Sequence, residues 1–100
     1  MRTRVTVVLA FATLLGAMAP PAPARLRECA AKVDFNVEIS SASNMRCETA
    51  RRDLRRHHGP IARRFRTPGG FRCARVSGSA LGGQWRCTRG RKAYRFEFAD

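Results

Sequence analysis

Negative charge is what this sequence has least of: seven aspartates and glutamates stand against 20 lysines and arginines in 100 residues, a formal net charge of +13. Recognisable chemistry is scarce as well. None of Cys29, Cys47, Cys73 and Cys87 forms a C-x-x-C pair, which excludes a zinc knuckle or a thioredoxin-like redox centre and leaves no metal site to expect. There is no Gly-rich phosphate loop, no Ser/His/Asp arrangement and no internal repeat. No cofactor is implied. The two histidines, His57 and His58, are adjacent, and helical neighbours point about 100° apart, so they are badly placed to share a metal or substrate. Only one long apolar run exists, Val5 to Ala19, and it falls short of the roughly 20 residues a membrane span needs.

That run has a different use. Arg2 and Arg4 precede it, and Ala22-Pro23-Ala24 follows with a small-x-small pattern. Together they predict a secretory signal peptide over residues 1–24, cleaved after Ala24, and a secreted or envelope-resident product with no further membrane segment. The mature chain carries 18 − 7 = +11 charges once Arg2 and Arg4 leave. A domain this small needs staples, and four cysteines in an exported chain imply two disulfides.

Residues 25–32 read as a short leader and 33–100 as one small domain. Val33 to Ile39 alternates apolar and polar, which predicts a strand with Val33, Phe35, Val37 and Ile39 inward. A helix is expected from Asn44 to His58, capped by Ser43 or Asn44 and stopped by Gly59-Pro60. Its apolar stripe is Cys47, Ala50, Leu54 and Ile61, too thin for a lytic helix but suited to packing on a sheet. Glu48–Arg52 and Asp53–His57 are its i,i+4 pairs. Arg63 to Gly70 reads as a loop, Phe71 to Val76 as a strand, and Ser77 to Gly83 as a second loop.

The end of the chain is a hairpin turning at Gly90-Arg91, with Cys87 opposite Tyr94 and Trp85 opposite Phe96 inward, and Arg86 opposite Arg95 and Thr88 opposite Ala93 outward. The expected fold is therefore α+β, β-α-β-β-β, one amphipathic helix on a small antiparallel sheet. Its core is Phe35, Val37, Ile39, Ala50, Leu54, Phe71, Trp85, Tyr94, Phe96 and Phe98. Cys73 and Cys87 share the inner face of neighbouring strands and favour one disulfide, leaving Cys29 with Cys47. The alternative joins Cys47 to a sheet cysteine, and four cysteines allow three connectivities.

Cys47-x-x-Ala50-Arg51, Gly70-Phe71-x-Cys73, and Cys87-Thr88-Arg89-Gly90 with the closing Phe96-x-Phe98 resemble a group of small secreted actinobacterial proteins of uncharacterised function. The resemblance implies export and a cysteine-stapled helix-plus-sheet domain, and it supplies no activity or catalytic residue.

Function then rests on charge. Eighteen of the basic residues are arginine, which GC-rich coding alone produces, and which also suits bidentate contact with phosphate or carboxylate. Arg72, Arg86, Arg89, Arg91, Lys92 and Arg95 are the anion-binding candidates. Arg86 facing Arg95 is unfavourable for the fold unless an anion sits there. The expectation is a monomeric, non-enzymatic binder of an anionic envelope polymer or an acidic protein, with nucleic acid bound only nonspecifically. A small inhibitor of a trypsin-like protease, presenting Ser77–Gly83 or Arg89–Lys92, is the alternative. A nuclease built on Glu48, Asp53, His57 and Glu97 comes third.

Overall fold

A computed structural model describes residues 25–99. The predicted signal peptide lies outside the described residues. The chain forms β1 (Leu26–Asp34), β2 (Val37–Ser43), α1 (Cys47–Arg55), β3 (Arg64–Arg66), β4 (Arg72–Ser79), β5 (Gly82–Arg89) and β6 (Lys92–Ala99). The strands make one antiparallel sheet in the order β1-β2-β6-β5-β4-β3. The chain leaves β2 through α1, begins again at the far edge as β3, and returns strand by strand until β6 meets β2. It is an α+β fold, with one short helix, among the described residues, on one face of the sheet, and two disulfides.

The final hairpin has the register its side-chain alternation implies. Trp85 pairs with Phe96, Arg86 with Arg95, Cys87 with Tyr94 and Thr88 with Ala93. Gly90 turns it at φ +61°, a conformation glycine adopts without steric cost. Trp85, Tyr94, Phe96, Ile39 and Cys87 are fully buried in the cluster that also contains Ala50 and Leu54 of the helix. Val37, Ala50, Leu54 and Phe71 join them as expected, and Phe98 is half-buried against the cluster.

The leader is not a leader. Residues 26–34 are β1, and the single strand read over Val33–Ile39 breaks into a hairpin whose turn is Phe35-Asn36. Phe35 is consequently 91% exposed rather than in the core. The reason is geometric. A strand extended through residue 35 would carry Cys29 away from the helix start, whereas the reversal lays β1 back along β2. Cys29 and Cys47 then come within 5.8 Å, Cα to Cα, and bond. Cys73 and Cys87, directly opposite on β4 and β5, form the second bridge.

The helix is shorter than expected. Asn44 does not cap it: at φ +57° its side-chain amide Nδ2 donates to the Arg91 carbonyl (2.8 Å), which ties the helix approach to the last hairpin. Arg46 stands at the N-cap without a side-chain bond. The segment read as a loop over 63–70 contains β3, since Arg64-Phe65-Arg66 itself alternates and pairs with β4. The second expected loop, 77–83, is strand on both sides of a tight Ala80-Leu81 turn. Its glycines permit the pairing: a side chain at Gly83 would run into the Ser77 carbonyl.

Two substitutions separate the observed core from the expected one. Phe35→Ser should change the unfolding free energy by less than about 0.5 kcal/mol, whereas Phe71→Ala should cost about 3–5 kcal/mol. Urea denaturation with the disulfides intact measures both. Equal losses would place Phe35 in the core after all.

Candidate anion-binding surface

Pleating decides which side chains reach water. Phe65, Cys73, Cys87 and Tyr94 stand opposite one another across β3, β4, β5 and β6 and point toward the helix. Their neighbours along each strand must therefore point the other way. Two rows result. Arg64, Ala74, Arg86 and Arg95 form one, and Arg66, Arg72, Thr88 and Ala93 the other. Among the described residues no element lies on this outer face. Arg64, Arg66, Arg72 and Arg86, with Val76 and Thr88, line a groove of about 600 Å³.

Each row contains two arginines in directly opposed positions, Arg86 with Arg95 and Arg66 with Arg72. Both pairs are exposed. Like charges in that position are destabilising by a few tenths to about 1 kcal/mol. No carboxylate offsets them: among the described residues the ion pair is Arg51–Glu48 on α1, at 2.8 Å. Acidic residues on this face lie away from the groove. Glu38 and Glu97 face each other across β2 and β6, with Lys32 beside Glu38 and Gln84 within 3.5 Å of Glu97.

The six candidate residues thus divide. Arg72, Arg86 and Arg95 share the outer face. Arg89 and Lys92 form the last rung of the hairpin on the helix side. Arg89 is committed there, donating to the Gly69 carbonyl at 2.7 Å and lying 5.0 Å over the Phe71 ring. Arg91 sits exposed in the turn. Arg64 and Arg66, inside the loop expected over 63–70, join this face as part of β3. The Arg-Phe-Arg alternation was the available signal.

The proposed catalytic set is dispersed. Glu97 is on the outer face and Glu48 pairs with Arg51 instead of Arg52. His57 stacks on Phe65 (4.4 Å) and bonds to the Pro60 carbonyl at 3.0 Å rather than to Asp53. Among the described residues no three of His, Cys, Asp and Glu cluster as metal ligands. Both segments read as inhibitor loops are two-residue strand hairpins. Comparison with family models, curated proteins and solved structures finds no match to this chain.

Asp53 has a structural task on the opposite face. It is buried on α1 and accepts hydrogen bonds from the Tyr94 hydroxyl (2.7 Å) and the Thr67 hydroxyl (3.1 Å). Thr67 in turn accepts from the Phe71 amide at 3.1 Å. One carboxylate therefore joins helix, sheet and the β3–β4 turn. Burial first, and then the Asp53 carboxylate, push the Tyr94 phenol well above its usual range.

A phenol whose folded-state pKa lies above its unfolded value of about 10 contributes stability that is complete below pH 10 and is lost as pH rises past it. Tyr94→Phe should cost about 1–3 kcal/mol at neutral pH by leaving Asp53 one donor short. The difference between wild type and variant should then shrink by up to about 1.4 kcal/mol per unit above pH 10. Denaturant melts at pH 8 and pH 11 check this. A constant difference would remove Tyr94 from the account.

Proposed function

We propose that this protein binds an anionic envelope polymer along the uncovered face of its sheet, without catalysing a reaction. The observation that carries this reading is the presence of two opposed arginine pairs, Arg66–Arg72 and Arg86–Arg95, on one sheet face, three of the four arginines lining its groove, with no carboxylate within ion-pair distance among the described residues. A fold gains nothing from that arrangement by itself. A polymer of phosphate or sulfate groups gains several charge-assisted contacts at once.

The uncharged residues of the face narrow the ligand. Its floor is small: Ala74, Thr88 and Ala93. Trp85, Tyr94 and Phe96 are all buried on the other side, and Phe65, which also borders the groove, has its ring stacked on His57, so none of them offers a stacking platform for bases or an aromatic anchor for a protein interface. Charge without aromatic reach favours a polyanion recognised by its acidic groups. The signal-like N-terminus and the two disulfides support an exported protein that meets such polymers outside the cell. Among the described residues no helix is long and apolar enough to cross a membrane. The resemblance to small secreted actinobacterial proteins agrees with this setting.

Function and stability should move in opposite directions at this face. Arg86→Thr with Arg95→Thr should raise the unfolding free energy at low salt by a few tenths to about 1 kcal/mol. The same variant should elute earlier from heparin resin and flatten the slope of log affinity against log salt by roughly 2. Unchanged elution and slope would sink the reading.

A further inference from the structure

A second group of cations meets on the opposite side of the molecule. Arg52 and Arg56 stand four residues apart, at the end of α1 and just past it, and Arg89 faces Lys92 in the last rung of β5 and β6. All four line a crevice of about 190 Å³ whose floor includes Asp53 and Phe71. The helix macrodipole accounts for cations near the end of α1. It does not account for two more arriving from the hairpin.

The charges there do not cancel. Asp53 is the acidic residue of the crevice, and both its oxygens already accept hydroxyl protons from Tyr94 and Thr67. Among the described residues none of the four cations has a carboxylate within ion-pair distance. One negative charge stands against four positive ones. Arg89 is held in place by the Gly69 carbonyl and the Phe71 ring, so part of the cradle is preorganised. The volume accommodates a tetrahedral oxyanion with a few waters of about 30 Å³ each. Donors converging from a helix and a hairpin suit a doubly charged tetrahedral group better than a planar carboxylate. Guanidinium forks and one lysine point charge are the usual phosphate ligands.

We propose that this crevice binds a phosphoryl group, as the free ion or as a terminal phosphate monoester, held by Arg52, Arg56, Arg89 and Lys92. It is separate from the outer sheet face and does not depend on polymer binding there.

The test is a titration of the ¹⁵N-labelled disulfide-bonded protein with inorganic phosphate, against chloride at equal ionic strength. Saturable shifts are expected at the Thr49, Gly69 and Phe71 amides. Arg52→Ser with Lys92→Ser, both exposed and outside the Asp53 bonds, should weaken phosphate binding by about tenfold or more. Arg86→Thr with Arg95→Thr should leave it intact, which separates this site from the outer face. Glycerol phosphate distinguishes the source: equal shifts assign the terminal monoester and their absence assigns the free ion, and both keep the site. Shifts that do not saturate, that chloride reproduces, or that survive in the Arg52/Lys92 variant would overturn the proposal.

Discussion

Among the described residues, one nine-residue helix is what covers a six-stranded sheet. One helix can shield one face and only part of its width. The other face must be built from residues that tolerate water. Alternation along each strand sorts the sequence accordingly, with aromatics and cysteines toward α1 and Arg64, Arg66, Arg72, Arg86 and Arg95 away from it, while Arg75 and Arg89 lie over the Trp85 and Phe71 rings. The exposed basic surface and the compact inner core are two consequences of the same shortage of covering structure.

The shortage also explains how the inner face is held. A small core supplies little stability alone, and covalent and polar links supplement it. Cys29–Cys47 fastens the helix start to the β1 edge, and Cys73–Cys87 joins β4 to β5. Where α1 does not reach, irregular chain takes over: the Trp85 indole donates to the Ala62 carbonyl at 2.9 Å, and Phe71 packs on Tyr94. Asp53 is the polar counterpart of these links. Its two hydroxyl donors satisfy the buried charge, so it connects three elements without leaving an unpaired polar group. Arg89 adds a further tether by closing over Phe71.

Much of this was legible residue by residue, and the failures have local causes. The β5–β6 register was readable because one alignment satisfies both faces and Gly90 permits the turn. The helix and most of the core followed from spacing. Phe35 misled because a turn residue can continue an alternating pattern by accident, and Asp34-Phe35-Asn36 carries no glycine or proline to announce a reversal. The tie between Cys29 and Cys47 was the constraint that demanded one. The i,i+4 spacing that points Asp53 at His57 is visible in sequence, whereas Tyr94, 41 residues away, comes near only in the folded chain. The same limit hid the second arginine pair. Arg66 and Arg72 become opposed only once β3 is recognised as a strand.

Arg86 and Arg95 therefore belong to a basic face that spans four strands and carries a groove lined by three of them, while the Arg89 and Lys92 side chains stand on the other side. The central claim is that the uncovered face, and not the tip, meets a polyanion. Amide chemical-shift mapping of the folded protein with a sulfated polysaccharide addresses it most directly. The account predicts the largest shifts in Arg64–Arg66, Arg72–Ala74, Arg86–Thr88 and Arg95. Shifts confined to α1 and the Gly90-Arg91 turn, with the outer strands unmoved, would contradict it.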